Sequence, residues 1–299
     1  MNLRKMVIAV SLLLGTQSGV VALSQAHAAS TSQAAAAFTQ RHAVPLKINN
    51  TLIGQGAPKI IVPTTGATAE QVLAQAKMIG ENPDADLIEY RIDYLNFAND
   101  PAQVAALGKK IVAEVKGKPL ILTFRTKAEG GAKVITDQAW GDLYLALIKS
   151  HFIDILDVEM FRQPAVVQKV VAAAHEAGIK VVMSSHDFNN TPDTAEIVSR
   201  LRKQDEMGAD ILKIAVMPHN AGDVLKLQDA TAQIRERYSR KPLLTMSMGG
   251  LGAVTRITGQ VWGSDLTFGM IGEASAPGQI EVKPLRQALE TINMAMTGK

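Results

Sequence analysis

Residues 179–216 read IKVVMSSHDFNNTPDTAEIVSRLRKQDEMGADILKIAV. The segment opens on a short apolar run, Ile179 to Met183, and passes through turn-forming residues that include Pro192. From Thr194 to Met207 apolar residues recur at three- and four-residue spacing, and a second apolar run, Ile211 to Val216, comes after them. Short apolar runs bounded by turn residues suit strands buried on both faces, and the wider spacing suits an amphipathic helix. Strand, helix and strand in that order predict a βαβ unit.

The unit repeats outward in both directions. Apolar runs at Ile60–Val62, Leu87–Ile92, Leu120–Phe124 and Ile153–Val158 precede it, and Leu243–Met246 and Leu266–Met270 succeed it. Helical spacing lies between them, at Ala69–Ile79, Trp140–Ser150, Pro164–Ala177 and Asp223–Tyr238 among others. Eight strands alternating with helices across about 250 residues predict an α/β protein with the (β/α)8 barrel architecture. Leu46 to Ile53, with Asn49-Asn50 at its middle, predicts a hairpin ahead of it. No boundary rich in Pro, Gly or Ser divides residues 46–299, which are expected to form one domain.

The chain has 299 residues, 47% apolar and 20% charged, and a composition of that kind excludes a disordered or collagen-like protein. It has no cysteine, which removes thiol nucleophiles, thiolate-bound zinc and disulfides from consideration. Arg4 and Lys5, the apolar run Met6 to Leu14, and Ala26-His27-Ala28 have the order of a secretory leader. The run is too short for a spanning helix, which needs about 20 apolar residues. Residues 1–28 are therefore expected to be a signal peptide and 29–45 a flexible exported tail, which places the mature protein in the periplasm without a stable membrane anchor. The formal charge of +3, less the two leader cations, is +1. With only 4% aromatic residues as well, the mature chain lacks the charge and stacking surfaces of a nucleic-acid binder. The oligomeric state is open, a homodimer included.

In a barrel of this kind reactive groups sit at the carboxyl ends of the strands, and the polar residues collect there. Glu89, Arg91 and Asp93 alternate onto one face, Asp157 and Glu159 onto another, and Arg125 closes its strand shortly before Glu129. Three charges on a buried strand are costly unless paired with one another or with a ligand, and an internal ion-pair network is the alternative to a binding role. His186 reaches the rim after an apolar run, where nearby carboxylates suit a tuned base. Lys213 shares the face of Ile211 and Ala215, inside the barrel. Desolvation there frees the amine lone pair, the condition for imine formation with a carbonyl; pairing with Glu89 or Glu159 is the structural alternative. Gly249 to Gly252 form a loop that permits a phosphate site, and Arg256 suits a carboxylate clamp. Met246 and Met248 suit core packing that also touches a ligand. Glu273 to Gln279 is small and turn-rich, like a lid or an ordinary loop.

Taken together these residues resemble a known family. Glu89-Tyr90-Arg91-Ile92-Asp93, Arg125 with Glu129-Gly130-Gly131, Ser185-His186-Asp187-Phe188 with Thr191-Pro192, Lys213-Ile214-Ala215, Met246-Ser247-Met248 and Ser275-Ala276-Pro277-Gly278-Gln279 look like the motifs of type I 3-dehydroquinate dehydratase. The likeness runs from about Leu46 to the C-terminus in the right order. It implies a lyase that converts 3-dehydroquinate to 3-dehydroshikimate with neither cofactor nor metal. By this resemblance Lys213 forms an imine with the substrate ketone, His186 moves the protons and Glu129 orients His186. Arg256, Ser275 and Gln279 would hold the substrate carboxylate, and Glu89, Arg91 and Arg125 its ring hydroxyls. Pro63 stands where many members carry Ser, with Thr64 as the candidate replacement. Export points to quinate catabolism over aromatic biosynthesis. A class I aldolase with a phosphate site after its seventh strand, and a non-catalytic exported binder of a cyclic acid, are the rival readings.

Overall fold

The apolar runs become strands because helices cover their outer faces while their inner faces meet one another. The computed structural model describes residues 41–298. The leader 1–28 and most of the expected tail lie outside the described residues. By its contacts the chain divides at Arg41, and the secondary structure of the described residues belongs to the unit His42–Lys299.

The first elements of the described residues are a hairpin, β1 (Leu46–Ile48) and β2 (Thr51–Ile53), turned at Asn49 with φ 50°. Eight parallel strands come next: β3 (Lys59–Pro63), β4 (Leu87–Arg91), β5 (Leu120–Thr123), β6 (Ile155–Glu159), β7 (Lys180–Asp187), β8 (Ile211–Val216), β9 (Leu243–Ser247) and β10 (Leu266–Met270). After each in turn comes a helix: α1 (Ala69–Glu81), α2 (Pro101–Glu114), α3 (Asp137–Ile148), α4 (Pro164–Glu176), α5 (Thr194–Glu206), α6 (Ala221–Gln233), α7 (Gly249–Trp262) and α8 (Val282–Thr297). A two-residue strand, β11 (Ile280–Glu281), lies beside β10. Each strand from β3 to β8 pairs with the next, and β10 pairs back with β3. This is the predicted (β/α)8 barrel.

Alternation along β8 falls as read: Leu212, Ile214 and Val216 join the layer under the helices, and Ile211 and Ala215 join the inner layer. Ile48 and Ile53 of the hairpin join that inner layer with Ile61, Leu87 and Ile121, so the hairpin closes the amino-terminal end of the barrel. Residues ahead of Leu46, the expected boundary, already pack on this unit. Ala43 is buried against Gly54, and the Val44 amide donates to the Arg240 carbonyl at 2.7 Å.

Several element ends differ from the apolar pattern for identifiable reasons. β7 runs on from Met183 to Asp187, because its main chain keeps pairing with β8 after its side chains turn polar. β4 stops at Arg91, and Ile92–Tyr94 forms a 3-10 turn. α3 begins at Asp137, where the Thr136 hydroxyl accepts the Ala139 amide. The α-helical part of 223–238 ends at Gln233, and Ile234–Tyr238 forms a π turn that buries Arg235 against the Gly263 carbonyl and Asp265.

A fourfold device closes the amino-terminal end. Asp86, Asp154, Asp210 and Asp265 each precede a strand, in the similar contexts Ala85-Asp86-Leu87, Ile153-Asp154-Ile155, Ala209-Asp210-Ile211 and Ser264-Asp265-Leu266. Each brackets one residue of the preceding strand, accepting its amide on a carboxylate oxygen and donating its own amide to that residue's carbonyl. The bracketed residues are Ile60, Leu120, Val181 and Leu243 in turn, with carboxylate distances between 2.7 and 2.9 Å. The last bracket matters most, because β9 and β10 share no ladder in the sheet and Asp265 joins them. Asp154→Ala should orphan the Leu120 amide and cost about 1–3 kcal/mol. It should leave kcat unchanged, since Asp154 lies at the end of the barrel opposite the site. Denaturant unfolding with an unshifted midpoint would show that the bracket contributes nothing.

Candidate active site

A cavity opens at the carboxyl ends of the strands, with Lys213 at its floor. Strand alternation aims the Lys213 side chain inward, and it is 3% exposed. Its Nζ donates to Asp157 Oδ2 at 2.8 Å, lies 4.0 Å from Glu89 Oε1, and sits 5.0 Å from the centroid of the Phe268 ring. The expected ion-pair partners were Glu89 or Glu159. The close one is Asp157, because Glu159 is taken by Arg125 at 2.9 Å and by the Thr126 amide and hydroxyl at 2.8 and 2.9 Å. Gln204, wholly buried on α5, fixes the lysine's main chain: its amide oxygen accepts the Lys213 N–H at 2.9 Å and its NH2 donates to the Lys213 carbonyl at 2.8 Å.

His186 comes from β7 and meets Glu129 with Nδ1 2.8 Å from Oε2. Glu129 reaches it from a 3-10 turn, Lys127–Glu129, which Gly130 ends at φ 84°. A Cβ on Gly130 would stand 2.2 Å from the ring of Phe188, so only glycine lets that ring stack on His186 at a centroid separation of 6.4 Å. Burial lowers the His186 pKa well below 6.5, and Arg125, Lys213 and Arg91 add to the effect. Burial pushes the Glu129 carboxyl up to about 8; Arg125 opposes this while Glu159 and Asp157 assist. The imidazole is thus held neutral, with Nδ1 engaged and Nε2 left for a ligand.

The third charged group is mostly satisfied from within. Arg91 forms a two-pronged pair with Asp93, at 2.8 and 2.9 Å. Asp93 was expected to share the strand face of Glu89 and Arg91. It lies instead in the turn after β4, where it also accepts the amides of Arg125 and Ala132 at 3.2 and 3.0 Å. Arg125 spends its terminal nitrogens on Asp157 at 2.7 Å, Glu159 at 2.9 Å and Ser184 at 3.0 Å. Glu89, Arg91 and Arg125 all border the cavity, but Arg125 is foremost the centre of a buried charge network. Thr64, the candidate replacement for a family serine, does not border the cavity. Its hydroxyl accepts the Arg91 amide at 3.2 Å and lies 3.4 Å from the Glu89 carbonyl.

Arg256, on α7, is different. It is 1% exposed, and no ion pair among the described residues includes it. Its Nη2 donates to the Pro277 carbonyl at 3.0 Å, and its buried Nε has no partner. Burial lowers its pKa to about 10. A buried guanidinium without a counter-ion is a waiting anion site. Beside it Gln279 Nε2 donates to the Ser275 hydroxyl at 3.0 Å, and its Oε1 accepts the Ser275 amide at 2.8 Å. The 275–279 segment is therefore a tied loop over the cavity. Met246 and Met248 are buried and border the cavity, as expected.

The glycines at 249–252 do not form a phosphate cradle. They make the first turn of α7; the Gly249 amide is taken by the Pro277 carbonyl at 3.1 Å, and a Cβ on Gly252 would stand 2.3 Å from the Ser247 main chain. Sequence reasoning assigned no role to Asp157, Ser184 or Gln204. Asp157 carried a signal in its strand-end position, whereas Gln204 looks like any polar residue on an amphipathic helix.

Comparison with known proteins agrees with this geometry. A family model described as type I 3-dehydroquinase matches residues 60–296. The chain is 53% identical over 245 residues to the catabolic 3-dehydroquinate dehydratase of Acinetobacter baylyi, spanning 82% of this chain and 90% of that protein. It is 47% identical over 249 residues to the 3-dehydroquinate dehydratase of Syntrophotalea carbinolica, spanning 83% and 98%. Among solved structures, the type I 3-dehydroquinate dehydratase of Clostridium difficile superposes with a TM-score of 0.81 at 38% identity, covering 85% of this chain and 99% of that one.

Proposed function

Because the chain belongs to the type I 3-dehydroquinase family, whose members from Acinetobacter baylyi and Syntrophotalea carbinolica are 3-dehydroquinate dehydratases, we propose that it dehydrates 3-dehydroquinate through an imine on Lys213. The observation that carries the imine is a single buried amine at the cavity floor, with a neutral imidazole on one wall and an unpaired guanidinium on another. The Lys213 nitrogen condenses with the C3 ketone and releases water. The protonated imine acidifies the neighbouring C2–H, and Nε2 of His186 takes that proton while the C–H electrons form an enamine. Those electrons then expel the C1 hydroxyl, which leaves as water with the proton His186 returns. Hydrolysis of the imine frees 3-dehydroshikimate and restores the amine. Glu129 holds the imidazole by Nδ1, so that Nε2 faces the substrate throughout.

Borohydride added with 3-dehydroquinate tests the reading. It should inactivate the protein irreversibly and leave a secondary amine in the peptide containing Ile211 to Val216, with no adduct in protein treated without ligand. An adduct on another lysine, or none, would overturn it. The Clostridium difficile relative was solved with covalently modified comenic acid, in keeping with covalent chemistry in such a site.

Arg256 takes the substrate carboxylate in this reading, with Ser275 and Gln279 beside it. Arg256→Ala should remove a charge-assisted contact of about 1.5–3 kcal/mol, so kcat/KM should fall roughly tenfold to a hundredfold, mainly through KM. Unchanged steady-state constants would make Arg256 a structural cation.

We infer also that the protein is exported and serves quinate breakdown. The leader's basic start, apolar run and Ala26-His27-Ala28 support export, and the name of the Acinetobacter baylyi relative supports a catabolic role. Mass spectrometry of the N-terminus in a periplasmic fraction should find cleavage near Ala28. Uncleaved protein confined to the cytosol would refute it.

A further inference from the structure

Asp157 is the closest charged group to the Lys213 nitrogen, and its two oxygens are divided between two tasks. Oδ1 accepts from Arg125 at 2.7 Å and from the Ser184 hydroxyl at 2.6 Å, which fixes the carboxylate in the barrel wall. Oδ2 accepts from Nζ of Lys213 at 2.8 Å. A carboxylate needed only for the wall would not have to present its second oxygen to the reacting amine. Glu89, the other carboxylate near Nζ, stands at 4.0 Å and already accepts the Thr123 hydroxyl at 2.9 Å.

We propose that Asp157 is a catalytic residue, the fixed counter-ion of the Lys213 nitrogen both as the free ammonium and as the protonated imine. The inference rests on the proposed imine at Lys213. Condensation of R–NH3+ with a ketone gives R–NH+=C and one water, so the charge on nitrogen is the same before and after, and one N–H remains. That N–H keeps Oδ2 of Asp157 as its acceptor. Dehydration draws electrons toward a nitrogen that must stay protonated to receive them, and a carboxylate at hydrogen-bond distance holds the proton there. Burial alone would raise the Asp157 carboxyl, but Arg125, Lys213 and Ser184 outweigh it and hold it well below the usual carboxylate range. Such a group is a poor proton acceptor and a dependable charge. Around Nζ stand Asp157 from β6, Glu89 from β4, the Arg125 guanidinium after β5, His186 from β7 and the Phe268 ring from β10. Arg125 is turned toward Asp157 and Glu159, which leaves Asp157 as the close anion facing the amine.

Asp157→Asn keeps the shape and an acceptor for Ser184 and Arg125, and removes the charge. The expected result is a fall in kcat of about a hundredfold or more with KM changed by less than about threefold. Borohydride reduces the protonated imine, so trapping at Lys213 should persist to alkaline pH in the wild type and fail at lower pH in the variant. A purely structural aspartate would lower the melting temperature without moving that pH limit. If kcat stays within about threefold of wild type, or the trapping limit does not move, the proposal is overturned. Should Asp157→Asn fail to fold, Ser184→Ala decides by the same two measurements: it loosens Oδ1, and a wild-type kcat and trapping limit in that variant overturn the proposal. Absence of trapping at Lys213 in the wild type would defeat the imine reading itself, whereas normal wild-type trapping with an unaltered variant would defeat only the role of Asp157.

Discussion

Lys213→Met is expected to lower kcat by about 10⁶-fold, the scale on which loss of a covalent nucleophile leaves only binding and orientation. Methionine matches the lysine stem in length and packs against Phe268 and Ala215, but it has no lone pair to offer a ketone. Without the imine, the C2–H keeps the low acidity of an ordinary ketone, and a neutral imidazole is too weak a base to remove its proton quickly. The fold should survive, because Asp157 loses one of two cationic partners and keeps Arg125 at 2.7 Å. Substrate should still bind, since Arg256, Ser275 and Gln279 are untouched. Formation of the product's conjugated enone, followed by absorbance, measures the loss, and calorimetric titration with 3-dehydroquinate measures the binding that remains. Activity above about a thousandth of wild type would return Lys213 to the role of a buried ion-pair partner.

Lys213 was legible because strand alternation is a strict rule: a cation on the face of Ile211 and Ala215 has to point into the barrel. The same rule set Glu89, Arg91, Asp157 and Glu159 facing inward. It could not say which carboxylate meets which cation, because that depends on the stagger between strands, and so Asp157 was passed over in favour of Glu89 and Glu159. Asp93 was misplaced because alternation holds only while the strand continues, and the strand ends at Arg91. Side chains bonded to main chain left the least trace. The Gln204 clamp on Lys213 and the four aspartate brackets involve no apolar periodicity, although the Asp-Leu and Asp-Ile repeats at the strand starts are visible once their task is known. The glycines at 249–252 misled for the opposite reason: a cluster that suits a phosphate loop also suits a helix packed tightly on Ser247.

His186→Ala should separate binding from chemistry. Nothing in imine formation requires the imidazole to activate the amine, so borohydride should still trap the substrate on Lys213. Proton removal at C2 and proton delivery to the leaving hydroxyl both depend on Nε2, and losing a positioned base costs about 10²–10⁴-fold in rate. The pH profile gives a second check on the wild type. Burial and three nearby cations lower the His186 pKa well below 6.5, so the neutral, proton-accepting form persists as pH falls through the range where a free histidine would charge. The acid limb of kcat should therefore lie below 6.5. Glu129→Gln removes the carboxylate that engages Nδ1 at 2.8 Å while keeping an acceptor, so it should slow turnover less than His186→Ala does and shift that limb. A His186→Ala variant that turned over within about tenfold of wild type would mean that another group moves the protons, and Glu129, whose carboxyl is pushed up to about 8, would be the next to test.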